Sequence, residues 1–158
     1  MPHIMVKAVI VYDTKYGNTK LIAEAIKQGM ESAGLSDVLV TSIEGTHTGD
    51  LARYDVVIFG CPNHNQGPSL TMQKHIERVA TVGLSGKTGA AFDTYQGHNM
   101  GIAVKKLENM IRQRLPGIRL LVEGFSAKVE SRTGPLVSGE INRASEFGVR
   151  IVQTLMKL

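Results

Sequence analysis

Five short apolar runs, each followed by a loop or a segment of helical periodicity, constrain this chain more than any other feature. They are Lys7–Tyr12, Asp37–Ile43, Asp55–Gly60, Lys87–Asp93 and Ile118–Phe125. Near-continuous runs rich in Val and Ile suit strands buried on both faces, whereas a sheet with one wet face alternates polar and apolar residues. Between the runs, Asn18–Ala33 places Leu21, Ile22, Ala25, Ile26 and Met30 on one helical face, with Gly34 as a C-terminal cap. Ser69–Val82 reads as a helix with Ser69 at the N-cap. Met100–Arg114 is a third helix, and Ser138–Met156 a fourth, with Ile141, Ala144, Gly148, Ile151, Val152 and Leu155 on one side. Thr46–Tyr54 reads as a loop with one helical turn, and Ser126–Val137 as a long connection. Strands alternating with helices imply a parallel sheet covered on both faces. The expected architecture is therefore a three-layer, doubly wound α/β fold of five strands in the order 2-1-3-4-5, as a single domain over residues 1–158.

Composition narrows the function classes. A net charge of +4 raises nucleic acid as a partner, but Lys20, Lys27, Lys74, Lys105, Arg112 and Arg143 are scattered singly along helices, the pattern of a solvated surface. No apolar run approaches the length of about 18 residues that a membrane span requires. The opening "MPHIMVKAVIVYD" ends in a polar turn rather than a small-residue cleavage site, so it reads as a first strand and the chain is expected in the cytoplasm. Cys61 is the single cysteine, which excludes an internal disulfide and a cysteine-rich metal site. The histidines show no i, i+4 pairing on a helix, so no metal is expected.

In doubly wound folds, ligands bind beyond the carboxyl ends of the strands, where the strand order reverses. The loops at that edge carry the polar chemistry. After the first run, Thr14-Lys15-Tyr16-Gly17-Asn18-Thr19 offers hydroxyls, an amide and backbone N–H groups at a helix start, an anion cradle for a phosphate monoester. Neither a Walker A spacing nor a dinucleotide G-x-G-x-x-G is present there. A helix start capped by Thr and Asn that binds nothing is the plain alternative. After the third run, Pro62-Asn63-His64-Asn65-Gln66-Gly67 presents donors and acceptors without a carboxylate. After the fourth come Asp93, Thr94, Tyr95, Gln96, Gly97 and His98, with Tyr95 as an aromatic in a polar loop suited to stacking on a flat ligand. At the opposite edge "AGLSD", "TVGLSGK" and "LPGIR" are compact turns.

The stretch "DTKYGNT" directly after the first strand, with the rest of the chain in register, resembles the flavodoxin family in its short-chain form. The resemblance implies an electron-transfer protein in which Thr14 to Thr19 wrap the phosphate of FMN. It further implies that Pro62 to Gly67 cover one face of the isoalloxazine ring, and that Asp93 to Gly97, with Tyr95 stacked, reach the other face and the pyrimidine edge. By the same resemblance a carbonyl at Gly67 or a neighbour accepts a hydrogen bond from the reduced ring. Partners would be redox proteins of the reductase, ferredoxin or rubredoxin type, acidic near their own centres. Three departures stand out: there is no Trp, with His64 nearest its usual place, the chain is basic, and Lys15 sits inside the phosphate loop. With uncharged residues beside the ring, the second one-electron potential is expected to be less negative than in acidic flavodoxins, on the order of tens of millivolts or more.

Other readings keep the same fold: an FMN-dependent oxidoreductase acting directly on a quinone or porphyrinogen, or a non-redox module for another phosphate ligand or a protein. Cys61 with His64 suggests a thiolate nucleophile, against the plainer reading of a small buried side chain. His64 and His98 are expected near the ligand as hydrogen-bond partners or stackers, with His75 and His47 on the surface. Tyr16 either stacks on the ring or covers the phosphate, and Asp13 either orients the phosphate loop or caps its own turn.

Overall fold

The computed structural model describes residues 5–158, so the first four residues of the opening stretch lie outside the described part. Each apolar run becomes a strand: β1 Lys7–Tyr12, β2 Asp37–Ser42, β3 Val56–Pro62 and β4 Lys87–Gln96, with the fifth position shared by β5 Ile118–Leu120 and β6 Phe125–Val129. The helices are α1 Asn18–Ser32, α2 Leu70–Val82, α3 Ile102–Arg114 and α4 Glu140–Met156, and a 3₁₀ turn spans Thr48–Arg53. The sheet runs β2-β1-β3-β4-β5, and β6 also pairs with β4; every pairing is parallel.

The alternation along β1 sorts the core into two halves. Ala8, Ile10 and Tyr12 pack with α1 and α4, whereas Val9 and Val11 face the side covered by α2 and α3. Phe92 and Phe147 anchor the first half, and Phe59 and Ile76 the second. Such burial stabilises by about 25 cal/mol per Å² of apolar surface and sets each helix on its face of the sheet. α1 and α4 approach closely: a Cβ on Gly29 would lie 1.8 Å from the Ser145 carbonyl oxygen, and one on Gly148 would lie 2.2 Å from that of Ile26.

Four expectations are corrected. The fifth run is not one strand to Phe125: its pairing lapses between Leu120 and Phe125 and resumes through Val129, inside the stretch read as a connection. The lapse is bridged by Glu108 of α3, whose carboxylate accepts the Gly124 N–H at 2.9 Å. The fourth strand runs on past Asp93 to Gln96, because Phe92 to Gln96 pair with Phe125 to Val129. Leu21 and Ile141 point outward, 50% and 42% exposed, and Phe147 supplies the core contact on α4. His75 is buried against Phe59 rather than on the surface, and burial lowers its pKa to about 4.

Candidate functional site

The carboxyl ends of β1, β3 and β4 open into a cleft of about 480 Å³, within the roughly 300–1,000 Å³ of small-ligand sites. Its floor is tied together by the backbone. The Asp13 N–H donates to the Gly60 carbonyl at 2.9 Å and the Asn63 N–H to the Thr94 carbonyl at 2.8 Å. These bonds hold the three loops at fixed separation.

Thr14, Lys15, Tyr16, Asn18 and Thr19 line one end. Gly17 contributes geometry alone: at φ 91° it stands in the left-handed region that an L side chain rarely adopts, and its N–H is fixed by the Thr14 hydroxyl at 2.9 Å. The Thr19 hydroxyl reaches the Thr94 hydroxyl at 2.9 Å in a buried pair that joins the Thr14–Thr19 loop to β4. Thr and Asn therefore do not cap α1, whose start carries no side-chain cap and no acidic residue in its first turn. Two other helix starts have a side-chain acceptor, Ser69 for Met72 N–H on α2 and Asp93 for Val104 N–H on α3, while α4 has no side-chain cap but carries the acidic Glu140 in its first turn. The free N–H groups and positive dipole end of α1 thus stand over the cleft, suited to an anion.

Pro62, Asn63, His64 and Asn65 form the next wall. His64 and Gly67 exchange both N–H···O=C bonds, at 2.8 and 3.2 Å, and Asn63 bridges to Pro68, making a two-residue hairpin turn. Its tip residues Asn65 and Gln66 stand at φ 53° and 61°, a left-handed pair of the kind such turns require. The Gly67 carbonyl, one candidate acceptor for the reduced ring, here accepts from the His64 N–H. Gln66 and Gly67 face a separate groove, where the Lys106 ammonium donates to the Gln66 carbonyl at 2.6 Å. Asn63 is the conspicuous residue: both polar atoms of its carboxamide are buried without a hydrogen-bond partner. A buried, unpaired amide at a cleft wall fits a ligand edge that both donates and accepts.

Thr94, Tyr95 and Gln96 complete the wall from β4. Tyr95 is not an exposed loop residue but lies in the strand, 7% exposed, with Lys128 of β6 as its register partner. Asp93 does not face the cleft. Its carboxylate is fully buried toward α3, accepts from Val104 N–H and the Ser126 hydroxyl, and burial raises its pKa to about 6. Gly97 and His98 follow the strand, exposed and away from the cleft lining, so His64 and His98 do not converge on it. Cys61 is buried, and burial pushes its thiol up to about 12, which removes it as a nucleophile.

Two lining residues have no counterpart in the sequence reading. Val129 ends β6, and Arg132 sits in the loop between β6 and α4. Among the described residues no carboxylate lines the cleft, whereas Lys15 and Arg132 do. Among the described residues no helix is long and apolar enough to cross a membrane.

A parallel sheet in the order 2-1-3-4-5 with an anion-cradling cleft at its switch point defines the class of flavodoxin-like mononucleotide-binding folds. A family profile described as Flavodoxin matches residues 10–140. A flavodoxin of Clostridium saccharobutylicum is 26% identical over 146 residues, covering 92% of this chain and 91% of that protein. A flavodoxin of Synechococcus elongatus is 33% identical over 116 residues, 67% of this chain and 66% of that protein. A solved flavodoxin from the domain Archaea superposes with a TM-score of 0.80 at 25% identity, covering 95% of this chain and 99% of the other. The chain belongs to the flavodoxin family and is an FMN-binding electron-transfer protein. The cleft residues fit that cofactor: an open helix start with hydroxyls suits a phosphate, and the unpaired Asn63 amide with the Tyr95 ring suits a flavin.

Proposed function

We propose that the FMN phosphate is held by Thr14, Lys15, Asn18, Thr19 and the backbone N–H groups at the start of α1, and that its ring lies between the His64–Asn65 turn and Tyr95. The uncapped α1 start carries this reading, since its first residues Asn18 and Thr19 line the switch-point cleft and its first turn holds no carboxylate. The bound flavin supplies the one-electron chemistry. The chain's own residues orient it, exclude water from its buried edge and set the charge around it. Asn63 hydrogen-bonds the pyrimidine edge, Gly17 lets the backbone close on the phosphate, and Tyr16, 44% exposed with the Lys15 ammonium 5.6 Å from its ring centre, covers the entrance.

The physiological partners are redox proteins that present acidic surfaces to this cationic rim, of the reductase, ferredoxin or rubredoxin type, in the cytoplasm. Complementary charge steers such encounters and makes their rates fall with ionic strength. The deciding experiment is a titration of apoprotein into FMN with flavin fluorescence as the readout and riboflavin as the control lacking phosphate. Strong quenching by FMN and much weaker quenching with riboflavin is the expected outcome. Equal quenching of both would refute the assignment of the phosphate to Thr14–Thr19, and quenching of neither would refute the ring placement as well.

A further inference from the structure

The phosphate end of the cleft is closed by a segment far from the phosphate loop in sequence. Glu130 to Pro135 form a tight loop between β6 and α4. The Glu130 N–H donates to the Pro135 carbonyl at 2.8 Å, the Gly134 N–H to the Ser131 carbonyl at 2.9 Å, and the Ser131 hydroxyl to the Gly134 carbonyl at 2.7 Å. This loop rests directly on the first residue of α1: the Asn18 amide donates to the Thr133 carbonyl at 3.3 Å, and a Cβ on Gly134 would lie 2.7 Å from the Asn18 side chain. Arg132 sits within the loop and lines the same cleft as Asn18 and Thr19. Neither Arg132 nor Lys15 is engaged in an ion pair among the described residues.

Resting on the FMN assignment above, we infer that Arg132 is a specificity-determining residue of the cofactor site, which recognises the charge of the phosphate from the β6–α4 loop docked on Asn18. Every positive group at the site favours the dianion, and the Arg132 guanidinium adds a full charge to the Lys15 ammonium and the partial charges of the helix start, so removing it should reduce that preference. The loop's own hydrogen bonds come from backbone, from Ser131 and from Asn18, so the Arg132 side chain is free of any structural duty there. The backbone that presents this exposed side chain is held in place, because the loop is docked on α1. An arginine placed in this way makes FMN binding sensitive to salt and to the phosphate's second ionisation near pH 6.

The test compares wild type, Arg132→Gln and Arg132→Lys as apoproteins, titrated with FMN and with riboflavin at low salt, at about 1 M salt, and between pH 5 and 7.5. Arg132→Gln should weaken FMN about tenfold at low salt, a charge-assisted bond discounted for solvent exposure, and Arg132→Lys should recover most of that loss. The difference should vanish at high salt, and the rise in FMN affinity across the phosphate ionisation should flatten in Arg132→Gln. Riboflavin affinity and the melting temperature of the apoprotein should be the same in all three. Equal FMN affinity of wild type and Arg132→Gln at low salt would overturn the inference while leaving the FMN site standing. A matching loss with riboflavin would also overturn it, showing a structural effect. Wild type binding neither flavin would overturn the FMN assignment, and this inference with it.

Discussion

Asn63 allows an incisive perturbation, because its two expected effects have opposite signs. Its carboxamide is buried at the cleft wall with neither the amino group nor the oxygen paired within the protein. A buried polar group left unsatisfied costs about 1–3 kcal/mol, so the amide holds the ligand-free protein about 2 kcal/mol below what an apolar side chain of the same shape would give. Asn63→Leu keeps the branching at Cγ and removes both orphans, leaving the backbone bond from Asn63 N–H to Thr94 intact. For a domain of this length a gain of about 2 kcal/mol raises the melting temperature by about 4–8 °C. The same substitution removes the partner proposed for the flavin's polar edge and should weaken FMN by about tenfold to a hundredfold. Thermal unfolding followed by circular dichroism on apoprotein, and fluorescence titration with FMN, measure the two effects separately. A lower melting temperature for Asn63→Leu would show that the amide is satisfied within the fold. An unchanged FMN affinity would show that the ligand does not meet it. Either result refutes the reasoning.

His75 gives a pH test. Buried against Phe59 it titrates near pH 4, against about 6.5 when unfolded, so the unfolded chain binds more protons between those values and stability rises with pH through that window. The full effect, about 3 kcal/mol, is present above pH 6.5 and is lost as pH falls toward 4. Asp93, raised to about 6, works oppositely over nearly the same range, because its neutral folded form loses its advantage as pH rises. The His75 contribution is therefore the difference between wild type and His75→Leu in urea unfolding from pH 4 to 7; a pH-independent difference would rule it out. A second measurement concerns the potential. With no carboxylate on the cleft wall and Lys15 and Arg132 present, the second one-electron potential should lie less negative than in acidic flavodoxins, on the order of tens of millivolts. A redox titration that gives a potential as low as theirs would contradict it.

The elements that sequence made legible are those whose signals are local. The Val/Ile runs of β1 and β3, the Ser69 cap of α2 and the Thr14–Thr19 loop all carry their instructions within a few residues. The misreadings arise where polar residues obey distant partners. Asp93 and Thr94 look like loop residues, yet they stay in β4 because Val104 N–H, Ser126 and Thr19 satisfy them. The gap after Leu120 depends on a carboxylate from α3, which periodicity along the strand does not register. Arg132 was invisible for the same reason. Nothing in "ESRTGP" announces that the loop folds back onto Asn18.

The close crossing of α1 and α4 bears on how the protein is made. A ribosome releases the Thr14–Thr19 loop and α1 early, but the surface that covers Ile22, Ile26 and Met30 includes α4, more than a hundred residues later. Until α4 is translated and seats Gly148 against Ile26, α1 has an apolar stripe without its cover, a state that invites chaperones rather than cofactor. The Thr14–Thr19 loop at the head of that helix thus gains its Asn18–Thr133 contact and the support of α4 only when a distant part of the chain arrives. Flavin loading is expected to follow synthesis rather than accompany it.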